Sequence, residues 1–120
     1  MATCSVLVVE DRDDIRAFLA ATVAARCDVA AVSTGAAARE ALARAVYHVV
    51  ILNLALPDAD AVALAEEARR RGCAVIAIPH QAAQFAKAAR EGFYVLVRPF
   101  DRRRLLELLD RVARERVGAE

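Results

Sequence analysis

The stretch Val49-Val50-Ile51-Leu52-Asn53-Leu54-Ala55-Leu56-Pro57-Asp58 decides how this chain is read. Its first four residues are apolar without alternation, as in a strand covered on both faces, and the run stops at an amide. Two other apolar runs also end in charge. Val6-Leu7-Val8-Val9 meets Glu10-Asp11, and Val95-Leu96-Val97 meets Arg98-Pro99-Phe100. Parallel strands place those three ends on one edge of the sheet, where α/β folds carry their chemistry. An acidic pair and a guanidinium then face Asn53, which cannot act as a nucleophile.

Outward from that centre, short apolar runs alternate with stretches of helical period, the βα pattern of a parallel sheet. The runs predict strands at Ser5–Val9, Val29–Val32, Val49–Leu52, Ala74–Ile78 and Tyr94–Val97. Ile15, Phe18, Leu19 and Thr22 share one face of a first helix, and Ala37–Ala45 makes a second, entered through Ser33-Thr34-Gly35. A third covers Asp60 to Arg71 with Gly72 as its stop, and a fourth covers Gln81 to Arg90 with Gly92 past its end. Asp101 caps a fifth, whose core face is Leu105, Leu108, Leu109 and Val112. The pattern predicts an α/β fold: a five-stranded parallel, doubly wound sandwich of the flavodoxin-like kind, strand order 2-1-3-4-5, in a single domain over residues 1–120.

Bulk composition narrows the function classes. At 120 residues the chain has room for one core, and no apolar run approaches the roughly 20 residues that span a bilayer. Met1-Ala2-Thr3-Cys4 lacks the features of a signal peptide, so a cytoplasmic protein is expected. A net charge of +1 gives no general attraction to nucleic acid or anionic lipid. Cys4, Cys27 and Cys73 have neither CxxC nor metal-ligand spacing, and are expected to be buried or semi-buried free thiols.

Glu10-Asp11 leaves a buried strand just before a helix. Acidic residues near a helix start complement its dipole, which accounts for Asp13 and Asp14 but poorly for Glu10. Adjacent carboxylates at such an edge can hold Mg²⁺, which takes oxygen ligands. Together with Asn53 and Arg98, they make the whole chain resemble the response-regulator receiver domain of two-component signalling. In that resemblance, Glu10 and Asp11 stand at the metal-binding acidic pair and Asn53 at the phosphoacceptor. Ala74-Val75-Ile76-Ala77-Ile78 is similar to the fourth strand, with Pro79 where the family carries Thr or Ser. Arg98-Pro99-Phe100 is similar to the family's Lys-Pro-Phe.

The resemblance implies a reaction that these residues do not support. The family's Asp carboxylate attacks a phosphohistidine, while Mg²⁺ and lysine neutralise the phosphoryl oxygens. Asn53 lacks nucleophilic strength and removes one of the three negative charges that would hold the metal. Mg²⁺ is therefore expected to bind weakly or not at all at Glu10, Asp11 and Asn53, and no other cofactor is expected. Pro79 offers neither hydroxyl nor N–H. Arg98 keeps the charge but prefers bidentate carboxylate pairing. Ala61 replaces the family's glycine, and Val95 stands at the aromatic switch position beside Tyr94. Arg98 is expected to form a standing ion pair with Glu10 or Asp11.

The remaining signals have plainer readings. His80 is expected to be a solvated loop histidine, His48 has no assigned role, and Asp58 and Asp60 read as helix caps rather than substitute nucleophiles. Arg103, Arg104, Arg111 and Arg114 share the outer face of the fifth helix with Glu107, Asp110 and Glu115, unlike a nucleic-acid surface. Leu106, Ala113 and Val117 widen its apolar arc, and the fourth helix presents Phe85 and Lys87. With Tyr94, these residues form a candidate partner face on the fourth helix, fifth strand and fifth helix.

The expected function is that of a degenerate receiver, not an enzyme, which acts by protein–protein interaction without accepting phosphate. The resemblance implies a histidine kinase, another receiver, an effector or a second copy as partner. Two rivals remain: a working receiver with an engineered Asn53 or a substitute acceptor, and an unrelated flavodoxin-like ligand module. The second is disfavoured because Glu10-Asp11-Arg12-Asp13 is no phosphate loop.

Overall fold

The computed structural model describes residues 4–119, with side chains described up to Arg116. Its elements in chain order are β1 (Ser5–Val9), α1 (Asp13–Val23), β2 (Asp28–Val32), α2 (Gly35–Arg44), β3 (Val49–Asn53), α3 (Ala61–Arg70), β4 (Ala74–Ile78), α4 (Ala82–Glu91), β5 (Tyr94–Val95) and α5 (Arg102–Ala119). All strand pairings are parallel, in the order β2-β1-β3-β4-β5. The expected strand from Tyr94 to Val97 pairs over two residues only. Leu96 N still donates to Ala77 O (2.9 Å), but Val97 is half exposed and the chain then turns toward Pro99.

Alternation of side chains along each strand divides the core into two layers. Leu7, Val9, Val50, Leu52, Val75 and Ala77 face α2, α3 and α4, where Ala38, Leu42, Leu64, Ala65, Ala68 and Ala88 meet them. Val6, Val8, Ile51, Ile76 and Ile78 face α1 and α5, against Leu19, Val23, Leu105, Leu108, Leu109 and Val112. The first layer is rich in alanine, so its helices can approach the sheet closely. The second is built from larger aliphatics, each contributing about 1.5–3 kcal/mol on burial. Phe18 departs from the expected core face of α1: it is 40% exposed and lies against Phe100, ring centroids 6.3 Å apart.

Helix ends follow local chemistry. Thr34 Oγ1 accepts from Ala37 N (3.0 Å) and Asp60 Oδ1 from Ala63 N (3.1 Å). Asp101 Oδ1 accepts from Arg104 N (2.9 Å), and Gly92 closes α4 in the left-handed region (φ 79°). Asp58 caps a helix distant in sequence. Its carboxylate accepts from Gly35 N (3.0 and 3.1 Å) and more weakly from Ala36 N (3.4 Å), tying the β3–α3 loop to the start of α2. Those N–H groups hold the Asp58 carboxyl below the usual carboxylate range.

The cysteines differ from expectation. Cys4 and Cys27 form a disulfide, and only Cys73 is a buried free thiol. Parallel pairing of β1 with β2 brings the residues preceding both strands together, so a pair 23 residues apart in sequence becomes adjacent in space.

Gly35 is needed for the closeness of the Asp58 contact, since a Cβ at this position would overlap Ala59 Cβ. We expect Gly35→Ala to destabilise the fold by about 1–3 kcal/mol in chemical denaturation, although alanine is the better helix former. Ala59→Gly in the same chain should recover part of that loss.

Candidate functional site

The carboxy ends of β1, β3 and β5 bring Glu10, Asp11, Asn53 and Arg98 together, as the apolar runs imply. Asn53 is the last residue of β3 and is buried, and Glu10 is fully buried. Asn53 Nδ2 donates to Glu10 Oε2 and to Asp11 Oδ1, both at 2.9 Å. Asn53 Oδ1 accepts from Ala55 N at 2.8 Å. These contacts fix the orientation of the amide. Reversed, its oxygen would face two carboxylates and its nitrogen a backbone donor, losing all three bonds. Hydrogen bonds to charged groups contribute about 1.5–3 kcal/mol each, so the bridge holds the acidic pair in place.

Glu10 Oε2 also accepts from Arg12 N (3.1 Å), but Glu10 Oε1 is buried without a hydrogen-bond partner. Burial raises the Glu10 pKa above its ordinary 4.5, and neighbouring Asp11 adds to the rise; Arg12 N–H and the Asn53 amide oppose it. Arg98 approaches from the β5–α5 loop. Its Nη2 lies 3.9 Å from Glu10 Oε1, an ion-pair distance too long for a hydrogen bond. The same Nη2 lies 2.8 Å from His80 Nε2. Arginine can only donate, so His80 accepts through Nε2 and carries its proton on Nδ1. Burial and the Arg98 charge lower the His80 pKa, against the pull of Asp11. The expected ion pair is present in its longer form, and Arg98 divides its interactions between Glu10 and His80, which is exposed as expected.

The flanking positions are placed as follows. Pro79 is buried at the exit of β4. Val95 is half-buried against the alanine-rich layer, while Tyr94 turns to the opposite face and packs on α5. The Tyr94 hydroxyl and Glu115 Oε1 are hydrogen-bonded at 2.5 Å, and Arg111 lies over its ring at 5.5 Å. Of the candidate partner face, Phe85 is 46% exposed and Ala113 is exposed. Lys87 pairs with Glu91 (3.7 Å), and Leu106 packs on the second layer. Val117 lies outside the described side chains. Asp58 and Asp60 are engaged as caps. His48 Nδ1 accepts from Ser5 N (3.0 Å) at the opposite edge.

Mg²⁺ between these carboxylates would want an oxygen from position 53. Here the amide nitrogen points there, and the amide oxygen is turned to Ala55 N. These residues as placed do not fit the ion, and among the described residues no three His, Cys, Asp or Glu side chains are grouped to hold a metal. Asn53 offers an amide and no anionic oxygen at the end of β3. The arrangement can hold charge and present a surface.

Sequence reasoning missed the Arg98–His80 contact, the reach of Asp58 to α2 and the exposure of Phe18. Of these, only His80 carried a signal, through its place next to Pro79 on the same edge. Beside the site, Asp14, Ile15, Phe18, Arg98, Pro99 and Phe100 line an open cleft of about 640 Å³.

The fold and the acidic edge define a receiver-type α/β sandwich. The response regulator receiver domain family matches residues 6–110, and the chain belongs to that family. No curated protein matches the sequence. Among solved structures, the CheY-like receiver domain protein of Methanospirillum hungatei JF-1 superposes with TM-score 0.88 at 18% identity, covering 98% of both chains. Chemotaxis response regulator CheY4 of Vibrio cholerae gives 0.81 at 22% identity, over 91% of this chain and 98% of that one. NtrX from Brucella abortus, solved in complex with ADP, gives 0.83 at 25% identity over 93% of this chain. This chain spans only 27% of NtrX.

The raised Glu10 pKa gives a signed expectation. An acid whose folded pKa exceeds its unfolded value stabilises the fold below the unfolded value and loses that contribution as pH rises through the folded value. We expect wild type to lose stability relative to Glu10→Gln as pH climbs from 4.5 through the raised Glu10 value. Urea midpoints across that window measure the divergence, and parallel profiles would contradict it.

Proposed function

We propose that this receiver domain of two-component signalling works by binding a protein partner and does not accept a phosphoryl group. The observation that carries this reading is the Asn53 amide, hydrogen-bonded to both carboxylates where an acceptor would need a free anionic oxygen. Three neighbouring features support it. Pro79 supplies no donor, Arg98 is drawn to His80, and Tyr94 is tethered to α5 by Glu115.

The partner in this reading is a histidine kinase, another receiver or an effector, met in the cytoplasm, and no reaction is catalysed. No Mg²⁺ is required. A second copy docking through α4, β5 and α5 is included, with Phe85 as the exposed aromatic of that face. A working receiver with Asp58 or Asp60 as substitute acceptor is the alternative. The capping bonds of both carboxylates weigh against it, because transfer would replace a charged capping acceptor with a weaker neutral acyl oxygen.

Two measurements test the reading. Incubation with phosphoramidate and Mg²⁺ should leave the intact mass of wild type unchanged, and an added phosphoryl mass would favour the alternative. Asn53→Asp replaces two donors with a third acceptor carboxylate. We expect this variant to lose about 2–4 kcal/mol in EDTA and to regain stability with Mg²⁺, whereas wild type should not respond to the ion.

A further inference from the structure

Cys4 and Cys27 each sit one residue ahead of the first paired rung of β1 and β2, Ser5 with Asp28. Asp28 N donates to Cys4 O at 3.0 Å, and the two Cα atoms are 5.0 Å apart. The disulfide therefore fastens the two strands where their ladder begins. β2 is an outer strand, bonded to β1 alone. Its sequence is Asp-Val-Ala-Ala-Val, with Asp28 and Ala31 exposed and the other three only half-buried. In contrast, four residues of β1, all of β3 and four of β4 are buried. Small, half-covered side chains specify strand register weakly, so β2 is the long strand most in need of a covalent hold.

We propose that the Cys4–Cys27 disulfide is a reversible redox latch on β2, opened by small thiols of the glutathione class and closed by their disulfide form. Cys4 is half-buried and Cys27 is 8% exposed, so attack falls on Cys4 Sγ. The small thiolate bonds to Cys4 Sγ, the protein S–S bond breaks, and Cys27 leaves as a thiolate that takes a proton from water. A second small thiolate then attacks the small-molecule sulfur of the mixed disulfide and releases Cys4. The protein disulfide gains two electrons, and two small thiols become one small disulfide. Cys73 takes no part, since it is buried with a raised pKa. In thiol-buffered compartments, disulfides of this kind are made and broken as signals. The inference stands whether or not Asn53 can be charged.

The test uses the full chain as wild type, Cys73→Ser, Cys4→Ser and Cys27→Ser, each equilibrated natively in oxidised or in reduced glutathione. Iodoacetamide labelling with intact mass counts free thiols, and hydrogen exchange reports on each strand. In oxidised glutathione, wild type and Cys73→Ser should each keep two cysteines unlabelled after unfolding. Reduction should expose both, speed exchange of residues 28–32 by about tenfold relative to β3, and lower the Tm by on the order of 10 °C. Re-oxidation should reverse all three changes. Cys4→Ser and Cys27→Ser should resemble reduced wild type in either buffer; if they fail to fold, reduced wild type supplies the same comparison. Labelling of both thiols in oxidised glutathione would overturn the latch. So would exchange in β2 that ignores reductant, or a reductant response that disappears in Cys73→Ser.

Discussion

The carboxy edge of this receiver rests on one neutral group whose two N–H donors are both engaged. Glu10 and Asp11 are acceptors forced together by the end of β1, and full burial makes the charge on Glu10 costly. The Asn53 amide meets each with an N–H and spends its own oxygen on Ala55 N. A carboxylate at the same place would add a third acceptor and leave the cluster dependent on a cation. The amide satisfies Glu10 Oε2 and Asp11 Oδ1, but it leaves Glu10 Oε1 without a donor and cancels no charge. The unpartnered Glu10 Oε1 and the nearby Arg98 guanidinium reflect that remaining imbalance.

Around that centre, positions that would carry a signal elsewhere are held by ordinary packing. Tyr94 and Val95 point to opposite faces of the sheet because neighbours on a strand must. The aromatic ring therefore belongs to the α5 side and not to the layer beneath α4. The neighbouring Glu115 carboxyl is lowered by the Tyr94 hydroxyl and by Arg111, so this surface contact is itself a small charged network. It occupies the side chain that would otherwise be the most available on β5.

The sheet was legible because burial on both faces writes itself as unbroken Val, Ile and Leu runs, and the meeting of Glu10, Asp11, Asn53 and Arg98 followed from parallel strand direction alone. Helix ends were legible within a residue or two wherever Asp60, Asp101, Gly72 or Gly92 marked them. Contacts that depend on side-chain reach were not. Phe18 has core periodicity yet lies against Phe100 at the surface, since the second layer is already filled by Leu19 and Leu105. The disulfide escaped notice because cysteine spacing says nothing about proximity until β1 and β2 are in register. His80 is exposed, as its loop position implies, but loop composition does not show which cation lies opposite it.

The span from Asp58 to Gly35 has a consequence for recognition. A single carboxylate joins the segment after β3 to the N-terminus of α2, so two connections that could wander separately are ordered together in the free domain. Association that must immobilise flexible segments loses affinity in proportion to what it freezes. A protein approaching this rim would find that entropy already spent, and its selectivity would come from fit to a rigid outline.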